Sequence, residues 1–220
     1  MDIIKIMEER HSVRAYKSIP IEQEKRDILN QLIAEINSLA DLNIQILYDE
    51  PTCFDSLKAH YGKFRGVQNY ISLIGKKSKG LDEKLGYYGE QIVLKAQELG
   101  LNTCWVALTH GKSKAQKMSG ESERCLISIG YGETNGVAHK SKEISTVSNY
   151  EEGMPEWFLN GVKAALLAPT AVNQQKFYFE LDNNDNVAAK HGRSFYAAMD
   201  LGIAKYHFEL ASGKEVYKIK

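Results

Sequence analysis

The sequence predicts an α+β protein, in which helices pack on a mixed sheet of about five strands. Two stretches, 22–39 and 81–99, carry apolar residues at every third or fourth position, which is the period of an amphipathic helix. Short runs such as 43–48 and 177–181 follow helical stretches and are typical of strands. A chain of 220 residues can bury a substantial core, so we expect one domain over residues 1–220.

Charge and cysteine content limit the expected partners and location. The 28 basic and 28 acidic residues cancel, so no net field draws the protein to nucleic acid or to an anionic membrane, and we expect neither as a partner. The N-terminal residues lack a signal-peptide pattern, and no apolar run approaches membrane-spanning length. The odd, widely spaced cysteines Cys53, Cys104 and Cys125 suit reduced thiols, so we expect a cytoplasmic protein. The six histidines show no metal-ligand spacing, so no metal site is expected.

The first half of the chain begins with a short amphipathic helix. In the next helix, over 22–39, the apolar residues expected on one face are Ile28, Leu32, Ile36 and Leu39. The elements that follow are a strand over 43–48, an undecided stretch over 54–68, a strand over 69–75 and a helix over 81–99. Gly86 and Gly89 in the helix over 81–99 would permit close packing against another backbone.

The second half alternates strands and helices. A tight turn leads into a buried strand ending near 108, and a polar, helix-forming piece over 112–118 precedes a strand over 125–131. The later elements are a helix over 155–168, a strand over 177–181 and a helix over 196–211. The glycine-rich stretch 130–136 lacks GxGxxG spacing and opens no helix, so it predicts a turn and not a dinucleotide-binding loop.

Fixed positive charge is concentrated just after the first helix. Arg10 and Arg14 lie four positions apart with Ser12 between them. Two guanidiniums and a hydroxyl are donors that can hold a phosphate, so this cluster predicts an anion site. The alternative is that the cations only complement the dipole at the helix C-terminus and stay solvated.

Two polar loops in the last third are further candidates. Lys140 and Lys142 flank a serine and resemble the arginine cluster in chemistry, although a solvated charged loop is the alternative. The loop over 169–176 carries carboxamides and a hydroxyl. Asn and Gln side chains each offer a donor and an acceptor, which suits the polar edge of a heterocycle such as a flavin. A capping loop is the alternative here.

Four separated segments match one pattern: RHSVRAY at 10–16, LGLNTCWV at 99–106, IGYGE at 129–133 and APTAVNQQKF at 168–177. With these segments the chain resembles the FMN-dependent nitroreductase family over most of its length. The resemblance implies a nitroreductase-like α/β/α sandwich with a mixed sheet and a bound FMN.

The position of the APTAVNQQ motif differs from the usual family order. In the family this motif follows the first long helix, whereas here it begins at Ala168. Residues 22–48 and 155–181 could therefore be two copies of one helix-loop-strand unit, of which only the later copy keeps the motif. The family builds its site across a homodimer, so the expected assembly is a homodimer or a single-chain pseudo-dimer.

The resemblance also implies which residues contact the flavin. Arg10, Ser12 and Arg14 would contact FMN, with Arg10 near the phosphate and Arg14 near the ribityl and pyrimidine side. Lys140 and Lys142 would clamp the phosphate. The other implied contacts are Lys63, the backbone of Val106 and Ala107 beside N5, and the motif residues Pro169, Thr170, Ala171, Asn173 and Gln175 at the polar edge or ribityl chain.

The implied activity is electron transfer from NADH or NADPH, through FMN, to nitroaromatics, quinones or similar small acceptors. No side chain is expected to be catalytic, because the flavin carries the chemistry. The alternatives are a non-catalytic FMN-binding protein that stores or senses the flavin, and a structural domain that has lost its site. The presence of all four motifs argues against the second alternative.

Overall fold

The computed structural model describes residues 2–218. The chain forms two compact units. The larger-sheet unit comprises Glu9–Leu81 and Ile92–Val137, and the smaller-sheet unit comprises Met1–Glu8, Asp82–Gln91 and Ala138–Lys220.

The helices and strands follow each other along the whole described chain. The helices are α1 Ile3–Glu9, α2 Gln23–Ala40, α3 Leu57–Tyr61, α4 Leu81–Glu98, α5 Ile144–Val147, α6 Glu156–Ala165 and α7 Ala197–Ser212. The strands are β1 Gln45–Leu47, β2 Asn69–Lys76, β3 Asn102–Val106, β4 Glu121–Gly130, β5 Phe177–Leu181, β6 Val187–His191 and β7 Val216–Lys218.

The larger-sheet unit is built on a four-stranded sheet in the order β1-β2-β4-β3, with every neighbouring pair antiparallel. All residues of β2 but the last are buried, so both faces of this strand are covered. An aromatic group packs beside the sheet: the ring centroids of Phe54 and Phe64 lie 5.2 Å apart, and those of Phe54 and Tyr70 lie 5.8 Å apart. This packing fixes the chain around α3, which lies next to the candidate site.

The smaller-sheet unit has a three-stranded mixed sheet in the order β5-β6-β7, antiparallel and then parallel. Its core stacks the ring of Phe179 from β5 on Phe208 from α7, with centroids 4.7 Å apart and an interplanar angle of 11°. Within this unit α7 runs very close to the first half of α4. A Cβ atom at Gly202 would lie 1.9 Å from the carbonyl oxygen of Glu83, so only glycine fits there.

The α+β class, the mixed sheet and most of the predicted elements are confirmed, although the strands divide between two sheets. The close approach predicted for Gly86 is confirmed too, since its Cβ would lie 2.1 Å from a carbonyl oxygen of α7. Residues 22–48 and 155–181 each contain a helix followed by an edge strand, which agrees with a duplicated unit. The duplication and the single-domain organisation stay predictions.

The apolar face predicted for α2 is wrong for three of its four residues, since only Ile36 is buried. The buried residues are Leu29, Ile33, Ile36 and Ala40, whereas Leu39 is 78% exposed. The chain has adjacent apolar pairs in this helix, so two faces rotated by one residue show the same periodicity. Packing on the sheet decides between them.

The predicted helical piece over 112–118 is also wrong, since the segment is not helical. Lys114 N donates to Tyr70 Oη (2.9 Å) and Gln116 N donates to Gln45 Oε1 (2.9 Å), so tertiary hydrogen bonds replace those of a helix. The elements that the sequence did not predict are short: α3, α5, β6 and β7.

The three cysteines are buried thiols, as predicted. Among the described helices, none combines the length and the apolar character needed to cross a membrane.

Candidate functional site

The arginine motif lies in an extended segment of the larger-sheet unit, which we call the motif segment (residues 10–17). Its backbone is tied to three other parts of that unit: Val13 N donates to Thr103 O (3.0 Å), Tyr16 N to Arg65 O (3.1 Å), and Lys17 N to Tyr131 O (2.8 Å). Side chains of an extended chain alternate, so residues 10, 12 and 14 share one side. The helix-dipole alternative does not describe Arg14, because α1 ends at Glu9.

All three motif side chains act on the thiol of Cys104 on β3, the two arginines through their charge and Ser12 through a hydrogen bond. Burial raises the pKa of this thiol. The charge of Arg14, the hydrogen bond from Ser12 and the charge of Arg10 each lower it. Arg10 is only 3% exposed, Ser12 is half-buried and Arg14 is exposed. The motif therefore runs from the interior of the unit to its surface, and its outer end is the accessible part.

That outer end opens into a cavity of about 570 Å³, which we call the Ser12 pocket. Its lining residues are Ser12, Val13, Arg14, Ala15, His60, Lys63, Phe64, Arg65 and Thr134. The guanidinium of Arg14 lies over the ring of Phe64, 5.9 Å from the centroid. Lys63, just after α3, has a φ of 63°, an uncommon conformation for a residue with a Cβ. Arg65 is paired with Glu133 at 2.6 Å.

The Ser12 pocket has the donor set of an anion site. Arg14 and Lys63 bring positive charge, Arg65 brings a guanidinium that is paired with Glu133, and Ser12 and Thr134 bring hydroxyl groups. Guanidinium and ammonium donors beside hydroxyls match the oxygen atoms of a phosphate. The structure thus brings together three predicted residues, Ser12, Arg14 and Lys63.

Val106 and Ala107 belong to the same unit but do not line the Ser12 pocket. Val106 is buried in the core opposite Leu126, and Ala107 starts the bend that follows β3. That bend lies against α3, because a Cβ on Gly62 would be 2.5 Å from Thr109 Oγ1. The backbone after β3 is therefore held near the residue that precedes Lys63.

The second candidate region lies in the smaller-sheet unit, in the loop over 169–176, which we call the carboxamide loop. Gln175 is its centre and is 1% exposed. Its side chain accepts from Lys142 N (2.8 Å) and donates to Lys140 O (2.8 Å) and Asn173 Oδ1 (2.7 Å). Its backbone N donates to Thr170 Oγ1 (3.1 Å). A single buried amide thus fastens this loop to the segment with the two lysines.

The remaining predicted residues of this unit join the same network. Asn173 Nδ2 donates to Lys140 O (2.8 Å), and Lys142 Nζ donates to the carbonyl oxygens of Gln174 (2.7 Å) and Gln175 (3.1 Å). Pro169 is buried, and Thr170 and Ala171 are half-buried. The lysine pair and the carboxamides are thus neighbours, and the hydrogen bonds are those of a capping loop. The flavin contacts implied for these residues stay predictions.

Several residues beside the two regions were not predicted. In the Ser12 pocket the polar ones are His60, Arg65 and Thr134. Beneath the carboxamide loop, Asp200 accepts from Ala171 N (2.9 Å) and from Gln174 Nε2 (2.6 Å). Arg65 follows Lys63 by two positions, and this proximity of two basic residues in the sequence could have indicated it. Asp200 gives no such signal, because an acidic residue in the first turn of a helix is common.

Comparison with solved structures identifies the fold class. A putative nitroreductase from Thermotoga maritima matches with a TM-score of 0.72 and 24% identity, over 98% of this chain and 87% of that chain. A putative nitroreductase in complex with FMN from Desulfovibrio desulfuricans gives a TM-score of 0.53 and 21% identity, over 70% and 99%. A putative NADH dehydrogenase/NAD(P)H nitroreductase from Parabacteroides distasonis gives a TM-score of 0.53 and 19% identity, over 70% of this chain and 99% of that chain. The fold is that of the nitroreductases.

A family model then places the chain more narrowly. The family described as "Putative TM nitroreductase" matches residues 2–212. The chain belongs to this nitroreductase family, which confirms the resemblance drawn from its motifs. Among curated proteins the comparison finds no match.

Proposed function

We propose that the protein is an FMN-dependent oxidoreductase that passes electrons from NADH or NADPH, through bound flavin, to nitroaromatics, quinones or similar small acceptors. The observation that carries this proposal is the Ser12 pocket, in which motif residues of a nitroreductase-family chain gather cationic and hydroxyl donors. The description of the Desulfovibrio desulfuricans structure, in complex with FMN, supports the choice of cofactor.

The donors of the Ser12 pocket fit the phosphate of FMN. Arg14 offers a planar fork of N–H groups, Lys63 an ammonium, and Ser12 a hydroxyl, all toward one cavity. Arg10 lies behind them in the interior and adds positive charge close to Ser12 and Cys104. These residues would hold the phosphate dianion and so fix the flavin at one end. Arg14 would then contact the phosphate, which differs from the contact with the ribityl and pyrimidine side that the resemblance implies for it.

Once bound, FMN would supply hydride acceptance and the onward transfer of electrons. The protein's own part is then binding and orientation. Arg14 stacks over Phe64, so its guanidinium is restrained before any ligand arrives. Restraint of this kind lowers the entropy lost on binding. The implied roles of the backbone at Val106 and Ala107, and of Lys140, Lys142, Thr170, Asn173 and Gln175, remain part of the proposal.

The cofactor is tested by the visible spectrum of the purified protein and by FMN titration. Arg14→Ala should weaken FMN binding by about tenfold to a hundredfold, because one charge-assisted contact contributes roughly 1.5 to 3 kcal/mol. Lys17→Ala is the matched control, since Lys17 is an exposed cation of the same segment that does not line the pocket. Equal affinities in the two variants would remove the phosphate role of Arg14.

Turnover is tested by anaerobic stopped-flow mixing of the flavin-loaded protein with NADH and with NADPH. The proposal expects bleaching of the flavin faster than that of free FMN, and parallel double-reciprocal lines with a quinone acceptor. Bleaching no faster than free FMN would instead favour a protein that stores or senses flavin. Sedimentation velocity would show whether the assembly is the expected homodimer or a single-chain pseudo-dimer.

A further inference from the structure

The carboxamide loop has a strained backbone at the positions that carry its motif. Val172, Asn173 and Gln175 have φ values of 47°, 54° and 43°. Residues with a Cβ rarely adopt this left-handed region, and a β-branched residue such as Val172 least of all. Val172 is also 97% exposed, so packing of its side chain does not hold it there. The conformation must be imposed by hydrogen bonds on either side.

Asp200 makes hydrogen bonds on both sides of the strained pair Val172 and Asn173. It lies in the first turn of α7 and is 4% exposed. One carboxylate oxygen accepts from Ala171 N (2.9 Å), and the other accepts from Gln174 Nε2 (2.6 Å). The carboxylate therefore joins the residue before the strained pair to the residue after it.

The side chain of Gln174 cannot turn over to suit another partner. Its Nε2 donates to Asp200 and also to the carbonyl oxygen of Phe195 (2.9 Å). If the amide flipped, its Oε1 would face that carbonyl oxygen, and two acceptors would meet. The arrangement thus requires acceptors at both side-chain positions of residue 200, one for Ala171 N and one for Gln174 Nε2. Aspartate supplies two oxygens, whereas asparagine has one oxygen and an NH2 group that would face a donor.

Burial of this carboxylate is unfavourable for the fold. It raises the pKa of Asp200 to about 6, and the two hydrogen bonds from the loop only partly oppose the effect. The neighbouring acid and base on the packed helices, Glu83 and Lys205, pair with each other at 3.3 Å. A buried acid kept at such a position is more common where function requires it.

We propose that Asp200 is a positioning residue for the flavin site: its carboxylate holds Ala171 and Gln174 so that the carboxamide loop keeps its strained form. The holding of the loop follows from the contacts of Asp200, whereas the consequence for flavin rests on the proposed function. The ligand class is an isoalloxazine with its ribityl chain, because the carboxamides and the hydroxyl of this loop suit those groups.

The first test measures the loop alone, without flavin, by hydrogen exchange of the backbone amides at one pH. Asp200→Asn should speed exchange over residues 171–175 at least tenfold and leave β5 unchanged. Asp182→Asn is the control: Asp182 also accepts backbone N–H groups, from Asn184 and Asn186, in an exposed turn. Unchanged exchange over 171–175 overturns the proposal. If Asp200→Asn does not fold, Gln174→Ala removes the other partner and should give the same local increase.

The second test titrates FMN and riboflavin into each variant and records the visible spectrum. Asp200→Asn should weaken both FMN and riboflavin, about tenfold, and shift the absorption bands, because the ring and the ribityl chain that this loop is proposed to contact are common to the two flavins. Arg14→Ala should weaken FMN more than riboflavin. Faster loop exchange with unchanged flavin affinities and spectrum overturns the positioning role. If the unsubstituted protein binds no flavin, the proposed function fails, and exchange alone decides whether Asp200 holds the loop.

Discussion

Acidification from pH 7 to pH 5 should raise the free energy of unfolding through Asp200. The pKa of this carboxyl lies at about 6 in the folded protein against 3.8 when solvated, because burial disfavours its charged form. A raised folded pKa means that the stabilising contribution of the protonated group is complete below the unfolded value and is lost as the pH rises through 6. The full difference corresponds to about 3 kcal/mol, and the part gained between pH 7 and pH 5 to about 1.3 kcal/mol.

Urea denaturation at pH 5, 6 and 7 measures this term when Asp200→Asn is the reference. Other groups titrate over the same range in both proteins, so the difference between the two unfolding free energies isolates residue 200. The free energy of unfolding of the unsubstituted protein, relative to that of Asp200→Asn, should increase by about 1.3 kcal/mol from pH 7 to pH 5. A constant difference over this range would show that Asp200 is already ionised at pH 5, and the reasoning from its burial would be refuted.

Three further predictions follow from the contacts. Lys140→Ala should weaken the binding of FMN more than that of riboflavin, because only FMN carries a phosphate. The loop contacts of Lys140 use its carbonyl oxygen, which the substitution keeps. Equal weakening of the two flavins in fluorescence titrations would contradict the phosphate role. Asn173→Ala should slow reduction by nicotinamide and oxidation by the acceptor alike, about tenfold each in stopped-flow, since it disturbs orientation of the ring; slowing of one half-reaction alone would point to a substrate contact. Gly202→Ala should destabilise the protein by roughly 3 kcal/mol, because its Cβ would lie 1.9 Å from Glu83 O. Gly80→Ala is the control and should change thermal unfolding little, since the space around Gly80 is open. Similar melting temperatures of the two variants would contradict the close helix contact.

The fold was predictable where one sequence pattern has one structural solution. The helix over 81–99 and the strand over 177–181 were found within about two residues, because periodicity and flanking glycine or turn residues agree there. The face of α2 was not, since adjacent apolar pairs leave its rotation to packing. β6 and β7 were missed because strands of three to five residues carry too few positions to show a period.

Some residues of the candidate site were also predictable from the sequence, and others were not. Ser12 and Arg14 were found through a motif and Lys63 through the wider family resemblance, and the structure gathers the three in one pocket. Thr134 was missed because its stretch predicts only a turn, and its place in the pocket depends on contacts between distant segments. Asp200 was missed for a related reason: its partners lie 26 and 29 residues away, and nothing local distinguishes it from an ordinary helix-capping acid.

The way the motif segment is tied down has a consequence for the order of folding. Its backbone partners, Thr103, Arg65 and Tyr131, are far from it in the sequence, so the segment is fixed only after β2, β3 and β4 have met. An unfolded or partly folded chain would therefore hold no aligned set of phosphate donors. A phosphate ligand of this pocket should bind the native unit alone and add about 2.7 kcal/mol to its stability at a free concentration one hundred times its Kd.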